Sequence, residues 1–415
     1  MAVCSRTLGC FAQDCRRRAA APFRLGLIGL ALIFLMAPDA MNGALAQLST
    51  QVLGPEIRIG VGGPLTTGSA TFGVEMRQAV DLAVAERNAA GGVAGARIVA
   101  VAADDEASNQ RGEAVARQFC DDPAVRGVVG HVNSGVTIAA AAVYAGCGLP
   151  MLTPMSSNPG VTEAGLPNVF RLTNRDDRKG PGFAKWLIAK MGKRNAVVVD
   201  DGTLYGKGLA DGFAAGFAVA GGAIAARASV KVGDTDFRAL LGGLPKGFDV
   251  LFFAGIREGA YLVKDMRALG LNQLFGCGDG CWSIDAFVQP AGMAALQGEG
   301  VRILSAAPAI GKVPGSAEFA ARYIAKYGPI NNYAASSYDS ARIVMAAIAQ
   351  AAAAKKALPT RAEVLAAMKA TRFQGVAYAR PAQWNPKGDN VAAVIFVNTV
   401  EGGRFKEVDE IAGDP

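Results

Sequence analysis

The chain has 415 residues, of which 51% are hydrophobic and 19% charged, with a formal net charge of +7. That composition excludes a disordered or fibrous chain, and the length suits two domains of ordinary size better than one small core. Much of the positive balance lies at the start, where Arg6, Arg16, Arg17, Arg18 and Arg24 face only Asp14 and Asp39; beyond residue 46 the excess is mild, and binding to nucleic acid is not expected.

Residues 1–46 read as an export signal rather than as part of the fold. Arg16-Arg17-Arg18 and Arg24 form a basic region, and Leu25 to Ala37 is an apolar run too short to span a bilayer comfortably. Ala44-Leu45-Ala46 supplies the small-x-small pattern of a cleavage site, with Gln47 the expected first mature residue. The long basic region points to a natural start downstream of Met1. An uncleaved membrane anchor is the alternative. No cysteine follows the apolar run closely enough for lipid attachment. The expected location is therefore the periplasm.

Ile57 to Val61 predicts a buried strand, followed by a Gly/Pro/Thr loop and helical spacing from Val74 to Asn88. A turn at Gly91 to Gly95 leads to a strand over Arg97 to Ala102, ended by Asp104-Asp105. Gly112 to Phe119 is helical, Val125 to Val129 is a strand, and Thr137 to Tyr144 is helical again, before a strand over Pro150 to Thr153. This alternation predicts a parallel sheet wrapped on both faces. The pattern restarts with a strand at Asn195 to Asp200 and a helix at Gly206 to Val219. Strands follow over Ala223 to Val230, Phe248 to Ala254 and Gln273 to Gly276, with a helix over Tyr261 to Leu269. A further strand begins at Val301, and Tyr338 to Ala354 is a long Ala-rich helix. The fold class is thus α/β, with two similar lobes and a boundary near Thr173-Asn174-Arg175.

Four cysteines follow the cleavage motif. Cys120 and Cys147 each close a helical run, and neighbouring helix ends make a disulfide plausible; Cys277 and Cys281 flank Gly278-Asp279-Gly280 and suit a local bridge. Free thiols in one or both pairs are the alternative. With one histidine and no paired CxxC motifs, neither a metal nor another cofactor is expected.

Two stretches carry the functional signal. Gly130-His131-Val132-Asn133-Ser134-Gly135-Val136-Thr137 and Leu152-Thr153-Pro154-Met155-Ser156-Ser157-Asn158-Pro159 each follow a short apolar run. Both place hydroxyl and amide groups where a strand hands over to a helix. Two such ends side by side form a site for a small anion such as a carboxylate. His131 reads as a satisfied core histidine.

The chain resembles the leucine/isoleucine/valine-binding proteins, periplasmic solute receptors of ABC importers. The resemblance runs from Ile57 to about Val400. It rests on Ile57-x-Ile59-Gly60 with Pro64-Leu65, Asn88-Ala89-Ala90-Gly91-Gly92-Val93-x-Gly95 and Asp104-Asp105. Val129-Gly130-His131 with Ser134, and Thr153-Pro154 with Asn158-Pro159, follow in the same order. Tyr205-Gly206-x-Gly208, Gly278-Asp279-Gly280, and Ala335 with Tyr338-Asp339 complete it. The order and spacing carry it, rather than any one element.

The resemblance implies two Rossmann-like lobes of the type I periplasmic binding fold, joined by a hinge of crossing strands and closing on a ligand. The N-terminal lobe would comprise 54–174 and 303–388, and the C-terminal lobe 175–302 and 389–415. It implies an amino-acid ligand of branched-chain type or a related one, a membrane permease as partner, and a monomer. In the site it implies, Ser134 donates to the ligand carboxylate, Ser157 serves both ends, and Met155 supplies backbone groups. Asp279 binds the ammonium from the opposite lobe, Tyr205 covers the ligand, and Phe72 lies against it. Ile256 stands where some relatives have a tyrosine, which opens the side-chain pocket. Arg257 and Glu258 either line its distal end or form an exposed ion pair.

Competing readings are a sensor of the same fold for a non-amino-acid carboxylate or amide, and an NAD-type α/β enzyme. The second is disfavoured: Gly60-Val61-Gly62-Gly63-Pro64-Leu65 departs from G-x-G-x-x-G, and Pro64 removes an amide that a pyrophosphate needs. Catalysis is therefore not expected.

Overall fold

Runs of Val, Ile and Phe without polar alternation build strands covered on both faces, and two largely parallel sheets result. They are seen in a computed structural model that describes residues 55–297, 300–331 and 333–411. The expected export signal, its cleavage motif and Gln47 lie outside the described residues. No helix among the described residues is long and apolar enough to cross a membrane.

The first sheet contains β1 (Glu56–Gly63), β2 (Arg97–Asp104), β3 (Val125–Gly130), β4 (Met151–Thr153) and β5 (Val169–Arg171). Their order is β2-β1-β3-β4-β5, with every pairing parallel. On one face lies α1 (Ala70–Ala89), which buries Phe72, Met76, Val80 and Ala83. On the other lie α2 (Asn109–Asp121) and α3 (Ser134–Gly146), packed with Phe119 and Tyr144 inward. Val128 joins the second of these clusters and Val129 the first, as side-chain alternation along a strand requires. Cys120 and Cys147 are disulfide-bonded and join the ends of α2 and α3.

The second sheet contains β6 (Asn195–Asp200), β7 (Ala223–Ser229), β8 (Val250–Ala254), β9 (Leu274–Cys277), β10 (Val301–Ser305), β11 (Ile395–Glu401) and β12 (Arg404–Ile411). Their order is β12-β11-β10-β9-β8-β6-β7. Central β8 is buried along its whole length, whereas edge strand β7 alternates half-buried and exposed. β11 runs antiparallel to β10 and β12, a departure from the all-parallel expectation. A short return through Gly402-Gly403 allows this, because antiparallel neighbours need no crossover helix.

One face of this sheet carries α4 (Asp176–Met191) and α5 (Leu204–Val219), which bury Phe183, Phe213 and Phe217 against Phe252. The sequence reading does not anticipate α4, since Gly180-Pro181-Gly182 breaks helical patterning. Tertiary packing decides it. A Cβ on Gly180 would lie 2.5 Å from the backbone nitrogen of Phe213, and one on Gly216 would lie 2.3 Å from Cα of Pro181. Glycine at both positions lets the two helix backbones touch. Below them the rings of Phe213 and Phe252 stack with centroids 3.9 Å apart. The opposite face is covered by α6 (Glu258–Ala268), through Ala260, Val263 and Met266.

After β10 the chain leaves the second sheet for α7 (Ser316–Tyr327) and α8 (Ala334–Lys355), the latter packed along α1, and then α9 (Arg361–Lys369). β10 runs to Ser305 within the second sheet, past the lobe boundary expected at residue 302. The chain crosses between sheets after β5, after β10 and again before β11. Arg171 ties the first crossing to the last. It is fully buried, its backbone pairs with Gly388 and Asn390, and its Nε donates to Asp389 at 2.9 Å.

Candidate functional site

Two strand ends of the first sheet build one wall. At the end of β3, His131 is buried with Nδ1 2.6 Å from the Asp105 carboxylate and Nε2 3.1 Å from the Tyr144 hydroxyl, a satisfied core histidine. Its carbonyl accepts from Thr153 Oγ1 at 2.8 Å and Ser156 Oγ at 3.1 Å, which fastens the loop after β4 beside it. Asn133 caps α3, whose first bond runs from Thr137 N–H to the Asn133 carbonyl. The amides of Ser134, Gly135 and Val136 therefore precede the helical ladder, at the positive end of the helix dipole. Asn158 N–H donates to Ser134 Oγ at 3.2 Å, so the Ser134 hydroxyl hydrogen is left to point elsewhere.

The facing wall comes from the second sheet. Thr203 caps α5 by accepting from Gly206 N–H at 3.0 Å, and Tyr205 stands in the first turn. Asp279 lies after β9, inside a small ring closed by the Cys277–Cys281 disulfide. Between the walls is a cavity of about 260 Å³. Its first-sheet side is formed by Phe72, Val132, Asn133, Ser134 and Met155; its second-sheet side by Leu204, Tyr205, Ile256 and Asp279. Tyr333, just before α8, closes it, with Phe72 edge-on at 5.9 Å. Most of this surface is apolar, as expected of a small-molecule site with few orienting polar groups.

The electrostatic centre is Asp279. Lys179 of α4 reaches both of its oxygens, at 2.7 and 2.6 Å, and also lies 3.0 Å from Asp176. Tyr205 donates to Asp279 Oδ1 at 2.9 Å and Tyr333 to Oδ2 at 2.8 Å. The Tyr205 oxygen in turn accepts from Gly280 N–H at 3.0 Å. Burial pulls the Lys179 ammonium down, but Asp176 and Asp279 outweigh it and hold its pKa above the ordinary lysine value. Burial, reinforced by the Asp279 charge, pushes the Tyr205 and Tyr333 phenols far up, so both remain donors. Burial raises the Asp176 carboxyl despite Lys179.

The structure thus brings Ser134, Met155, Tyr205, Asp279, Phe72 and Ile256 to one cavity. Ser157 does not line it: it is buried, and its carbonyl accepts from Asp176 N–H at 2.9 Å. Glu258 is buried and accepts from Gly233 N–H at 2.8 Å, while Arg257 stays exposed at the rim. Both border a second cavity of about 180 Å³ that shares Asn133, Thr203 and Ile256 with the first. Asp339 accepts from Val376 and Ala377 amides away from the cavity.

Sequence reasoning missed Lys179 and Tyr333. Lys179 sits on the unanticipated α4, whose one local signal is the acidic first turn Asp176-Asp177. Tyr333 immediately precedes a helix that was read only from Tyr338 onward. Among the described residues no group of His, Cys, Asp and Glu is placed to hold a metal ion.

A family model described as periplasmic binding protein matches residues 56–404. Leu/Ile/Val-binding protein homolog 2 of Brucella abortus is 37% identical over 227 residues, 54% of this chain, and the chain spans 61% of that relative's length. Leu/Ile/Val-binding protein BraC3 of Rhizobium johnstonii is 32% identical over 304 residues, covering 73% of this chain and 81% of that protein. Among solved structures, the branched-chain amino acid transporter substrate binding protein LivJ from Streptococcus pneumoniae, in complex with isoleucine, superposes with a TM-score of 0.78. It is 26% identical, over 86% of this chain and 99% of that one.

Proposed function

The chain belongs to the periplasmic binding protein family, and on that premise we propose that it is the solute receptor of an ABC importer, acting as a monomer in the periplasm and passing its ligand to a membrane permease. The ligand is a small organic carboxylate of the amino-acid size class. The observation that carries this reading is the cavity itself, set between the free amides of α3 and the head of α5. The ligand carboxylate takes the Ser134 hydroxyl and the α3 amides. Phe72, Met155 and Ile256 cover its apolar body. Tyr205 closes over it, and Asp279 shapes the far end.

A guest touching both walls favours the closed arrangement, because its added contacts exist only there. A thermal-shift screen of the mature chain against amino acids, simple and aromatic monocarboxylates, amides and nucleotides tests the reading. Saturating ligand at a hundredfold its Kd adds about 2.7 kcal/mol of stability. A carboxylate that raises the midpoint is the expected result. A response confined to nucleotides would overturn the proposal in favour of an enzyme.

A further inference from the structure

An α-amino acid brings two charges into a closed site, and its ammonium needs an anion once water is excluded. Asp279 is the acid in the wall of the main cavity. A carboxylate offers about four acceptor positions. On Asp279 they are taken by Lys179, which bonds both oxygens, and by the Tyr205 and Tyr333 hydroxyls. Asp201, Asp234 and Glu258 border the adjoining cavity, beyond Asn133, Thr203 and Ile256, and Asp176 is paired with Lys179. The amide oxygen of Asn133 is buried without a partner at the cavity edge, but it is uncharged.

We infer that Lys179 supplies from within the protein the cation that an amino-acid ligand would bring to Asp279, so that this site selects small monocarboxylates with an apolar body and no ammonium beside the carboxylate. The inference rests on the receptor reading above and narrows its substrate class. The carboxylate end is unaffected: the Ser134 hydroxyl and the α3 amides remain donors without partners in the helix ladder. At the other end the guest meets two neutral phenols and an acid already paired with a cation. A hydrogen, hydroxyl or oxo group at the second carbon fits there, whereas an ammonium is left unpaired.

Calorimetry compares leucine with 4-methylpentanoate, which is leucine without its amino group, and with 4-methyl-2-oxopentanoate and benzoate. The wild-type protein is expected to bind 4-methylpentanoate or another of these acids at least tenfold more tightly than leucine. Removing the internal cation by Lys179→Gln, paired with Asp176→Asn so that Asp279 is left as the acid of that cluster, should shift the preference toward leucine at least tenfold. If the wild type prefers leucine, the inference is overturned while the receptor reading stands. If a folded double variant, checked by circular dichroism, keeps the wild-type preference, the assignment to Lys179 is overturned. If no acid and no amino acid binds, the receptor reading falls with it. Should the variant not fold, the wild-type order of affinities decides.

Discussion

Tyr333 donates its phenolic hydrogen to Oδ2 of Asp279 over 2.8 Å, so the residue heading a helix packed on α1 is bonded to the loop that follows β9. Hydrogen bonds to a charged partner contribute about 1.5–3 kcal/mol. Tyr333→Phe keeps the ring that Phe72 and Trp282 pack against and removes only the bond. Urea unfolding should show a loss in that range. An unchanged midpoint at unchanged m-value would mean the bond is not formed in solution.

Asp279→Ala should destabilise the ligand-free protein as well as altering its binding. It strips Lys179, fully buried, of its bidentate partner and leaves it with Asp176 alone. Breaking a buried pair by removing one partner costs about 3–5 kcal/mol. If Asp279 served only a ligand, apo stability would not move, so denaturation without ligand separates the two roles.

Glu75 predicts a pH dependence. Burial raises its pKa from 4.5 to about 8, against backbone hydrogen bonds led by that from Tyr333 N–H at 3.1 Å. The folded state therefore holds a proton that the unfolded chain releases. Its stabilising contribution is full below pH 4.5 and is lost as pH rises to about 8, at about 1.4 kcal/mol per unit. Glu75→Gln carries no such proton. Its stability should fall less than that of wild type between pH 5 and pH 8, and parallel curves would exclude Glu75 as the source.

The two disulfides should act differently. Cys120 and Cys147 are 27 positions apart, and loop entropy gives that bridge about 3.5 kcal/mol. Cys277 and Cys281 are separated by 4, which gives only about 2 kcal/mol, but their ring encloses Asp279. Replacing the first pair by serine should lower stability with little change in ligand affinity. Replacing the second should weaken ligand binding more than its stability cost explains. The reverse ranking would show that the small ring has no part in placing Asp279.

The strand-to-helix handovers after β3 and β4 were legible because they are local. An apolar run followed by hydroxyl and amide residues marks a strand end wherever the chain goes next. Ser134 and the helix-end cysteines followed in the same way, whereas Tyr205 and Asp279 were singled out by the resemblance to a known family. Ser157 had the same local signature as Ser134, yet it does not border the cavity, because only neighbours distant in sequence determine which hydroxyl faces it.

The amino-acid sequence by itself determined two largely parallel sheets and the strand ends that border a cleft, since side-chain period and turn residues act over a few positions. Tertiary structure alone decided the charge of that cleft. Lys179 meets Asp279 because Gly180 and Gly216 let two helix backbones close on each other, in a helix that local propensity argues against. The partners stand 100 positions apart in the chain, and nothing in the spacing of either one signals the other.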